Sequence, residues 1–316
     1  MKKQIPTTLT ITDDEATQRL DRVLQKHFPQ ATFALVQKLC RKGAIRLDGK
    51  RAKGNERVQA GQVVALTPAL MQDAAPVQSV ATAITLSKAE RKQLQDAILY
   101  QDDWILVLNK PAGIPVQAGS SHKRSLDRLL PLLFPEKTPR LTHRLDMETS
   151  GCLVFAMNGR AARSLTKQFA GRYVQKIYWA VASGLLLDSE GEIKFSLSKS
   201  KGEGGEKVRA SLDGKTAETY FKRLARKGEL QWVELHPKTG RTHQIRAHMA
   251  ALSAPLLGDG KYGGARKLGD EVVKNIYLHA REVTFRHPEN DKPVTFKAPL
   301  PEHFQRLFDR YGWRAK

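Results

Sequence analysis

The sequence predicts an α+β protein of two domains, a small one rich in helix followed by a larger one with a mixed, mostly antiparallel β-sheet flanked by helices and loops. At 316 residues the chain is longer than a typical single domain. Its first part shows two helical patterns and then short strands, whereas its second part alternates apolar strands with helices. Residues 67–86 are rich in Ala, Gln, Thr and Pro without periodicity, which predicts a flexible linker.

The small domain is predicted over residues 17–66. Apolar residues at helical spacing indicate two helices, in RLDRVLQKHF and in FALVQKLCRKG. Gly43 suits the end of the second helix, and Asp48-Gly49 suits a tight hairpin turn before the closing strands. The segment carries eleven Lys or Arg residues against three acidic ones. Its surface therefore suits an anionic partner.

The larger domain is predicted over residues 87–316. It opens with a capping-box pattern at Ser87, where a short helix begins, and continues with a strand over 104–110 that Pro111 closes. The further predicted elements are strands at 152–157, 177–182, 231–235 and 277–285 and helices at 160–169 and 242–252.

Charge and cysteine content narrow the classes of partner and site. The 53 Lys and Arg residues against 32 Asp and Glu give a net charge of +21, which suits RNA, DNA or an acidic membrane surface without separating them. The chain lacks an apolar stretch of membrane-spanning length or a secretory leader, so we expect a cytoplasmic protein with no membrane partner. Cys40 and Cys152 stand too far apart for a disulfide framework or a cysteine zinc site.

The densest polar cluster is HRLDMETSG at residues 143–151, directly before the apolar run CLVFAM. An Asp, a His and an Arg at the entrance of a strand form a plausible edge of a site. Taken by composition alone, Asp146 is read more readily as a turn residue that accepts backbone hydrogen bonds.

Residues 17–66 resemble the S4-like RNA-binding domain in RLDRVL, LCRKGAIRLDGK and AGQVV. Asp48 stands where that family usually carries Asn, and both residues tolerate a tight turn. Without the resemblance, the segment would also fit a basic helical hairpin with solvated lysines.

The larger domain resembles the RluA-type pseudouridine synthases. HRLDMETSG matches their HRLDxxTSG segment, and four further stretches follow the expected order: VLNKPAGIPV at 107–116, KIYWA at 176–180, GRTHQIRAH at 240–248 and YLHA at 277–280. With the S4-like segment attached, the arrangement is most similar to the RluC/RluD-like branch. The resemblance implies an enzyme that isomerises specific uridines of RNA, expected in 23S ribosomal RNA, without a cofactor or metal.

The resemblance also assigns roles to single residues. It makes Asp146 the catalytic carboxylate, Arg246 its ion-pair partner and Tyr178 the aromatic residue that stacks on the flipped uracil. It places Arg144 in the space that the flipped base leaves, and Leu278 at the closed end of the base pocket. Without the resemblance, Arg246 would be interpreted as a solvated surface residue, Tyr178 as a half-buried packing residue and Leu278 as a core residue.

Two other functions fit parts of the sequence. Several histidines suggest a metallohydrolase, but HExxH is absent and His243 and His248 lie five residues apart, so no metal is expected. A non-enzymatic ribosome-assembly factor would use only the basic surface. The set of Asp146, Tyr178 and Arg246 argues for the enzyme, which we expect to act on RNA as a monomer.

Overall fold

The computed structural model describes residues 8–72, 84–118, 124–171, 173–202, 205–211 and 214–314. The chain divides into two compact units. The small unit takes in the described residues up to Ile84 together with a short stretch, Asn158–Arg163, and the large unit takes the remainder. No helix in the described ranges is long and apolar enough to cross a membrane.

The small unit contains a four-stranded antiparallel sheet in the order β1-β4-β2-β3. Its elements are β1 (Thr8–Thr10), α1 (Leu20–His27), α2 (Phe33–Arg41), β2 (Arg46–Leu47), β3 (Lys50–Arg51), β4 (Val63–Ala65) and α3 (Ala69–Gln72).

Local sequence explains the two longer helices of this unit. The hydroxyl of Thr32 accepts a hydrogen bond from the backbone N–H of Leu35 at 3.2 Å, which caps the start of α2. Gly43 follows the helix with a φ of 72°, a conformation that favours glycine. The two predicted helices are present, and their apolar faces meet in one core.

The small unit is longer than the predicted 17–66. β1 pairs with β4, and Leu70 of α3 is buried in the same core although it falls within the predicted linker. Both elements are too short to show a periodic pattern, and they gain their burial from contacts distant in sequence. Residues 73–83 of the predicted linker lie outside the described residues.

The large unit is built on one sheet in the order β11-β10-β12-β13-β9-β16-β8-β6-β5, with β17 beside β16 and β7 beside β8. Its strands are β5 (Ile98–Gln101), β6 (Ile105–Lys110), β7 (Arg140–Leu141), β8 (Ser150–Ala156), β9 (Gln175–Ser183), β10 (Glu190–Gly202), β11 (Gly205–Ala210), β12 (Lys215–Lys227), β13 (Leu230–Pro237), β16 (Leu278–Arg286) and β17 (Pro293–Lys297). A separate hairpin comprises β14 (Lys267–Leu268) and β15 (Glu271–Val272).

The helices of the large unit are α4 (Lys88–Asp96), α5 (Leu126–Leu133), α6 (Gly159–Ala170), α7 (Gln244–Ala251) and α8 (Glu302–Tyr311). The predicted capping box is present at α4, where Ser87 and Glu90 exchange hydrogen bonds. Helix α7 packs through Ile245 and Met249 against one face of the sheet. Helix α8 contributes to a second core that contains Trp179 and Trp232.

The strand pairing confirms a mixed, mostly antiparallel sheet, since only β8 and β16 run parallel among the described strands. At that pairing Gly151 lies opposite Ala280 with a φ of 109°. A Cβ atom on Gly151 would lie 2.3 Å from the Ala280 carbonyl oxygen, so only glycine permits this close approach. The pairing brings the end of the HRLDMETSG segment beside the start of β16.

Candidate active site

A cavity of about 560 Å³ opens in the large unit where residues of all five sequence motifs meet. One wall is the loop before β8, a second is β9 and the start of β16, and a third is the segment from β13 into α7. The cavity is lined by all five residues that the resemblance assigned to the site: Arg144, Asp146, Tyr178, Arg246 and Leu278.

The loop that carries Asp146 is held from two sides. The carbonyl oxygen of Asp146 accepts a hydrogen bond from the N–H of Thr149 at 3.1 Å, which closes a turn. The carbonyl of the next residue, Met147, accepts bonds from the N–H of Gly113 at 2.8 Å and from Nζ of Lys110 at 2.9 Å. The NKPAG segment therefore fixes the backbone on which the Asp146 side chain is presented.

Lys110 is a fully buried lysine in this support. Its ammonium also donates to the carbonyl of Pro111 at 2.8 Å. Burial lowers the pKa of Lys110 to about 7, while the charges of Glu148 and Asp146 act in the opposite direction. Lys110 thus joins the end of β6 to the Asp146 loop.

Arg246 lies beside Asp146 in the cavity and forms a long ion pair with it. Its Nη1 atom is 3.7 Å from Oδ2 of Asp146 and 3.7 Å from Oε2 of Glu148. The Asp146 side chain is 24% exposed, whereas that of Arg246 is 4% exposed. The carboxylate of Asp146 therefore has a nearby positive charge and an open face toward the cavity.

The close partner of Arg246 is Asp259, which no sequence motif indicated. Nε of Arg246 donates to Oδ2 of Asp259 at 2.7 Å and Nη2 donates to Oδ1 at 2.9 Å, a bidentate pair with no exposed carboxylate surface. Burial would lower the pKa of Arg246, but the hydrogen bonds and charge of Asp259 raise it. The expected ion pair of Arg246 with Asp146 is present through Nη1 at 3.7 Å, while Asp259 accepts the two short hydrogen bonds of the guanidinium.

Tyr178 and Leu278 form the apolar side of the cavity. Tyr178 in β9 is paired with Leu235 of β13 and with Ala280 of β16, and Leu278 is paired with Ala180. Burial, and to a lesser extent the charge of Asp146, raise the pKa of the Tyr178 phenol. The phenol is therefore protonated throughout the neutral range, and its ring is held by strands on both sides.

Arg144 is exposed at the mouth, whereas His143 supports the loop from inside. Nε2 of His143 accepts a hydrogen bond from the N–H of Val154 at 3.0 Å, and its ring stacks on Phe169 at 4.0 Å between centroids. Burial lowers the pKa of His143 to about 3, so the ring is neutral. Its hydrogen bond ties the loop to β8.

The segment before α7 is fixed by the buried side chain of Gln244. Its Oε1 accepts bonds from the hydroxyl of Thr239 and from the N–H of Arg241, and its Nε2 donates to the Glu218 carbonyl and the Thr219 hydroxyl. All four positions of the amide are thereby used. These hydrogen bonds position the backbone of the THQIR motif at the wall of the cavity.

The histidines that the structure describes are placed individually by hydrogen bonds and packing. Among the described residues, no cluster of three or more His, Cys, Asp or Glu side chains could hold a metal ion. Nδ1 of His243 lies 3.1 Å from the hydroxyl of Tyr262, and Nδ1 of His248 lies 3.0 Å from that of Thr219. These hydrogen bonds give both rings structural partners.

Comparison with known proteins finds relatives for both parts of the chain. The family model described as RNA pseudouridylate synthase matches residues 104–251, and the S4 domain model matches residues 18–64. The chain is 34% identical over 301 residues to ribosomal large subunit pseudouridine synthase C of Vibrio vulnificus, which covers 94% of each chain. It is 34% identical over 319 residues to the Escherichia coli K12 protein of the same name, which covers 98% of each.

A solved structure supports the same conclusion. Human RNA pseudouridylate synthase domain containing 4 is 29% identical and aligns with a TM-score of 0.60 over 70% of this chain and 95% of that one. The motifs, the fold and the full-length similarity agree. The chain belongs to the RNA pseudouridylate synthase family.

Proposed function

We propose that this synthase isomerises specific uridines of 23S ribosomal RNA, acting as a cytoplasmic monomer with Asp146 as its catalytic group. The observation that carries the proposal is the convergence of one accessible carboxylate, one tyrosine ring and one fixed guanidinium on a single cavity. The names of the Vibrio and Escherichia relatives support the ribosomal large subunit as the source of the RNA. The net charge of +21 suits a large polyanion.

The reaction breaks the bond between N1 of uracil and C1′ of ribose and forms a bond between C5 and C1′. One proton leaves C5 and one is gained at N1, so the conversion is redox-neutral and the proposal includes no cofactor. The target nucleotide must first leave its helix, because its reacting atoms are otherwise enclosed by stacking. A cavity of about 560 Å³ with an apolar wall suits such a flipped base.

Asp146 can serve this chemistry as an ionised carboxylate by attacking C1′ or the base, or by removing the 2′ proton. Each route needs a carboxylate oxygen free to approach the substrate. The 3.7 Å separation from Arg246 supplies a favourable charge without occupying that oxygen in a short hydrogen bond. Arg246 is proposed to supply a positive charge beside the Asp146 carboxylate, and Leu278 to close the apolar end of the base pocket.

Tyr178→Phe tests the role of the ring separately from that of the hydroxyl. We expect this variant to bind substrate RNA with nearly the wild-type affinity, because the stacking face is retained. Tyr178→Ala, which removes the ring, should weaken binding, since base–aromatic stacking contributes about 1–3 kcal/mol per base. RNA affinities of both variants, measured at one salt concentration, would decide. A large loss of affinity in Tyr178→Phe would show that the hydroxyl, and not stacking, binds the RNA.

We propose that the S4-like unit supplies affinity for a large RNA and no catalytic group. Lys38, Arg41 and Lys42 are exposed at the end of α2. Replacing all three with Gln should weaken binding, and the log–log dependence of affinity on salt should flatten by about 0.7 to 0.9 for each phosphate that the variant no longer binds. The turnover at saturating RNA should stay near wild type. A variant with normal binding and no turnover would overturn this division of roles.

The substrate assignment can be tested with purified protein. Unmodified 23S ribosomal RNA, 16S ribosomal RNA and transfer RNA would be incubated separately, and pseudouridine would be mapped in each. We expect site-specific conversion in 23S RNA. Conversion of transfer RNA alone would refute the ribosomal assignment while leaving the reaction class unchanged.

A further inference from the structure

Lys176 is a cation of the cavity to which the mechanism above gives no role. It lies in β9 two residues before Tyr178, so both side chains leave the strand on the same face. Both line the cavity. A hydrogen bond of Lys176 runs from Nζ to the carbonyl of Thr239 at 3.5 Å, the outer limit for such a bond.

The surroundings of Lys176 do not balance its charge. Lys176 forms no ion pair with any acidic residue that the structure describes, and burial lowers the pKa of its ammonium to about 8. An ammonium carries three donors, and a desolvated charge without a partner is costly. Lys110 provides the contrast, because its buried ammonium donates to two carbonyls at 2.8 and 2.9 Å. The hydrogen-bonding capacity of Lys176 is therefore used less fully than that of Lys110.

We propose that Lys176 binds a backbone phosphate of the target nucleotide when the base stacks on Tyr178. The inference rests on the proposed function of the cavity. Residues two apart on a strand are separated by roughly 6.6 Å, a spacing on the order of that between a nucleobase and its own phosphate. A phosphate supplies the negative charge and the acceptor oxygens that Lys176 lacks. Binding at this point would orient the ribose with C1′ toward Asp146.

The other charged and titratable groups around the cavity are compatible with this assignment. They are His143, Arg144, Asp146, Arg241, His243 and Arg246. The arginines among them favour an anion in the cavity. Asp146 is the acidic residue among them, and the phosphate would be displaced along β9 from the base that stacks on Tyr178.

Steady-state kinetics of Lys176→Met and Lys176→Arg test the assignment. With a short RNA substrate, Lys176→Met should raise KM by about 10- to 100-fold, with a much smaller fall in kcat. The substitution removes charge-assisted hydrogen bonds that the RNA forms in the ground state as well as in the transition state. Lys176→Arg should restore most of the affinity. Lys227→Met removes an exposed positive charge that does not line the cavity, and it should leave KM near wild type.

The pH dependence gives an independent readout. The wild-type KM should rise as the pH passes through about 8, because the free ammonium then loses its proton. In Lys176→Arg the guanidinium stays charged, so this rise should disappear. A purely structural bond to Thr239 would change the melting temperature of Lys176→Met and leave both KM and its pH dependence unchanged.

Substrates with a neutral methylphosphonate in place of a single phosphate identify the ligand. One RNA would carry the substitution on the 5′ side of the target uridine and another on the 3′ side. One of them should weaken wild-type binding and have little further effect on Lys176→Met. Equal losses in both proteins at both positions would overturn the proposal, because the phosphate contacts would then not depend on Lys176. Inactivity of the wild-type protein on every RNA would instead refute the proposed function.

Discussion

Asp146→Asn is expected to lower kcat by at least about 10³-fold while the protein keeps its fold and its affinity for RNA. The amide has the shape of the carboxylate but can act neither as a nucleophile nor as a base. The structure adds a reason to expect normal folding. Arg246 has its two short hydrogen bonds with Asp259, so removing the charge of Asp146 does not leave the guanidinium without a partner.

Glu148→Gln is the matched control for this substitution. Glu148 lies two residues away and at the same 3.7 Å from Nη1 of Arg246, but it is not among the residues that line the cavity. The Glu148→Gln variant should therefore retain most of the wild-type turnover. Tritium release from RNA labelled at C5 of uridine would measure both variants. Substantial release by Asp146→Asn, or an equal loss in Glu148→Gln, would contradict a unique role for Asp146.

Arg246→Met should both inactivate the enzyme and destabilise the large unit by about 3–5 kcal/mol. The loss of activity follows from removing the positive charge beside Asp146. The loss of stability has another origin, because the side chain of Asp259 has no exposed surface and would be left as a buried charge without its bidentate partner. Urea unfolding followed by circular dichroism would measure the free energy of unfolding.

A double substitution separates these two effects. Arg246→Met with Asp259→Leu removes both buried charges and should recover much of the stability without recovering turnover. Arg246→Lys keeps one charge but cannot form the paired hydrogen bonds, so its stability should fall between those of wild type and Arg246→Met. If Arg246→Met were as stable as wild type, the Arg246–Asp259 pair would not hold this part of the fold.

The features that could be predicted from sequence are those that depend on local pattern. The apolar spacing in α1 and α2 determines their buried faces, and the Ser87–Glu90 capping box forms as its spacing indicated. The HRLDMETSG segment could be placed at a strand entrance because the run that follows it is apolar throughout. Short elements such as β1 and α3 carried no such signal.

The geometry around Arg246 could not be predicted in the same way. Asp259 lies in a glycine-rich stretch thirteen residues after Arg246, where an Asp is most simply explained as a turn residue. Its role becomes visible only when the chain after α7 folds back against the guanidinium. The resemblance brought Arg246 to the correct cavity, but which of several nearby carboxylates takes its short hydrogen bonds depends on distances of about an ångström.

The support of the Asp146 loop was not predicted either, although one signal was present. Lys110 belongs to the NKPAG segment that was matched as a motif, and a lysine at the end of the apolar strand WILVLN indicates a buried cation with a specific partner. Which carbonyls receive its hydrogen bonds follows only from the pairing of β6 with β8, whose register sets Lys110 opposite Gly151.

The most direct test of the central claim is a map of pseudouridines in 23S ribosomal RNA from cells that lack this gene and that carry either the wild-type gene or Asp146→Asn in its place. We expect one or more specific pseudouridines to be missing when the gene is deleted. They should return when the wild-type gene is restored and remain absent when the Asp146→Asn gene is supplied. The claim would be contradicted if the 23S pattern were unchanged by deletion, or if Asp146→Asn restored the missing sites.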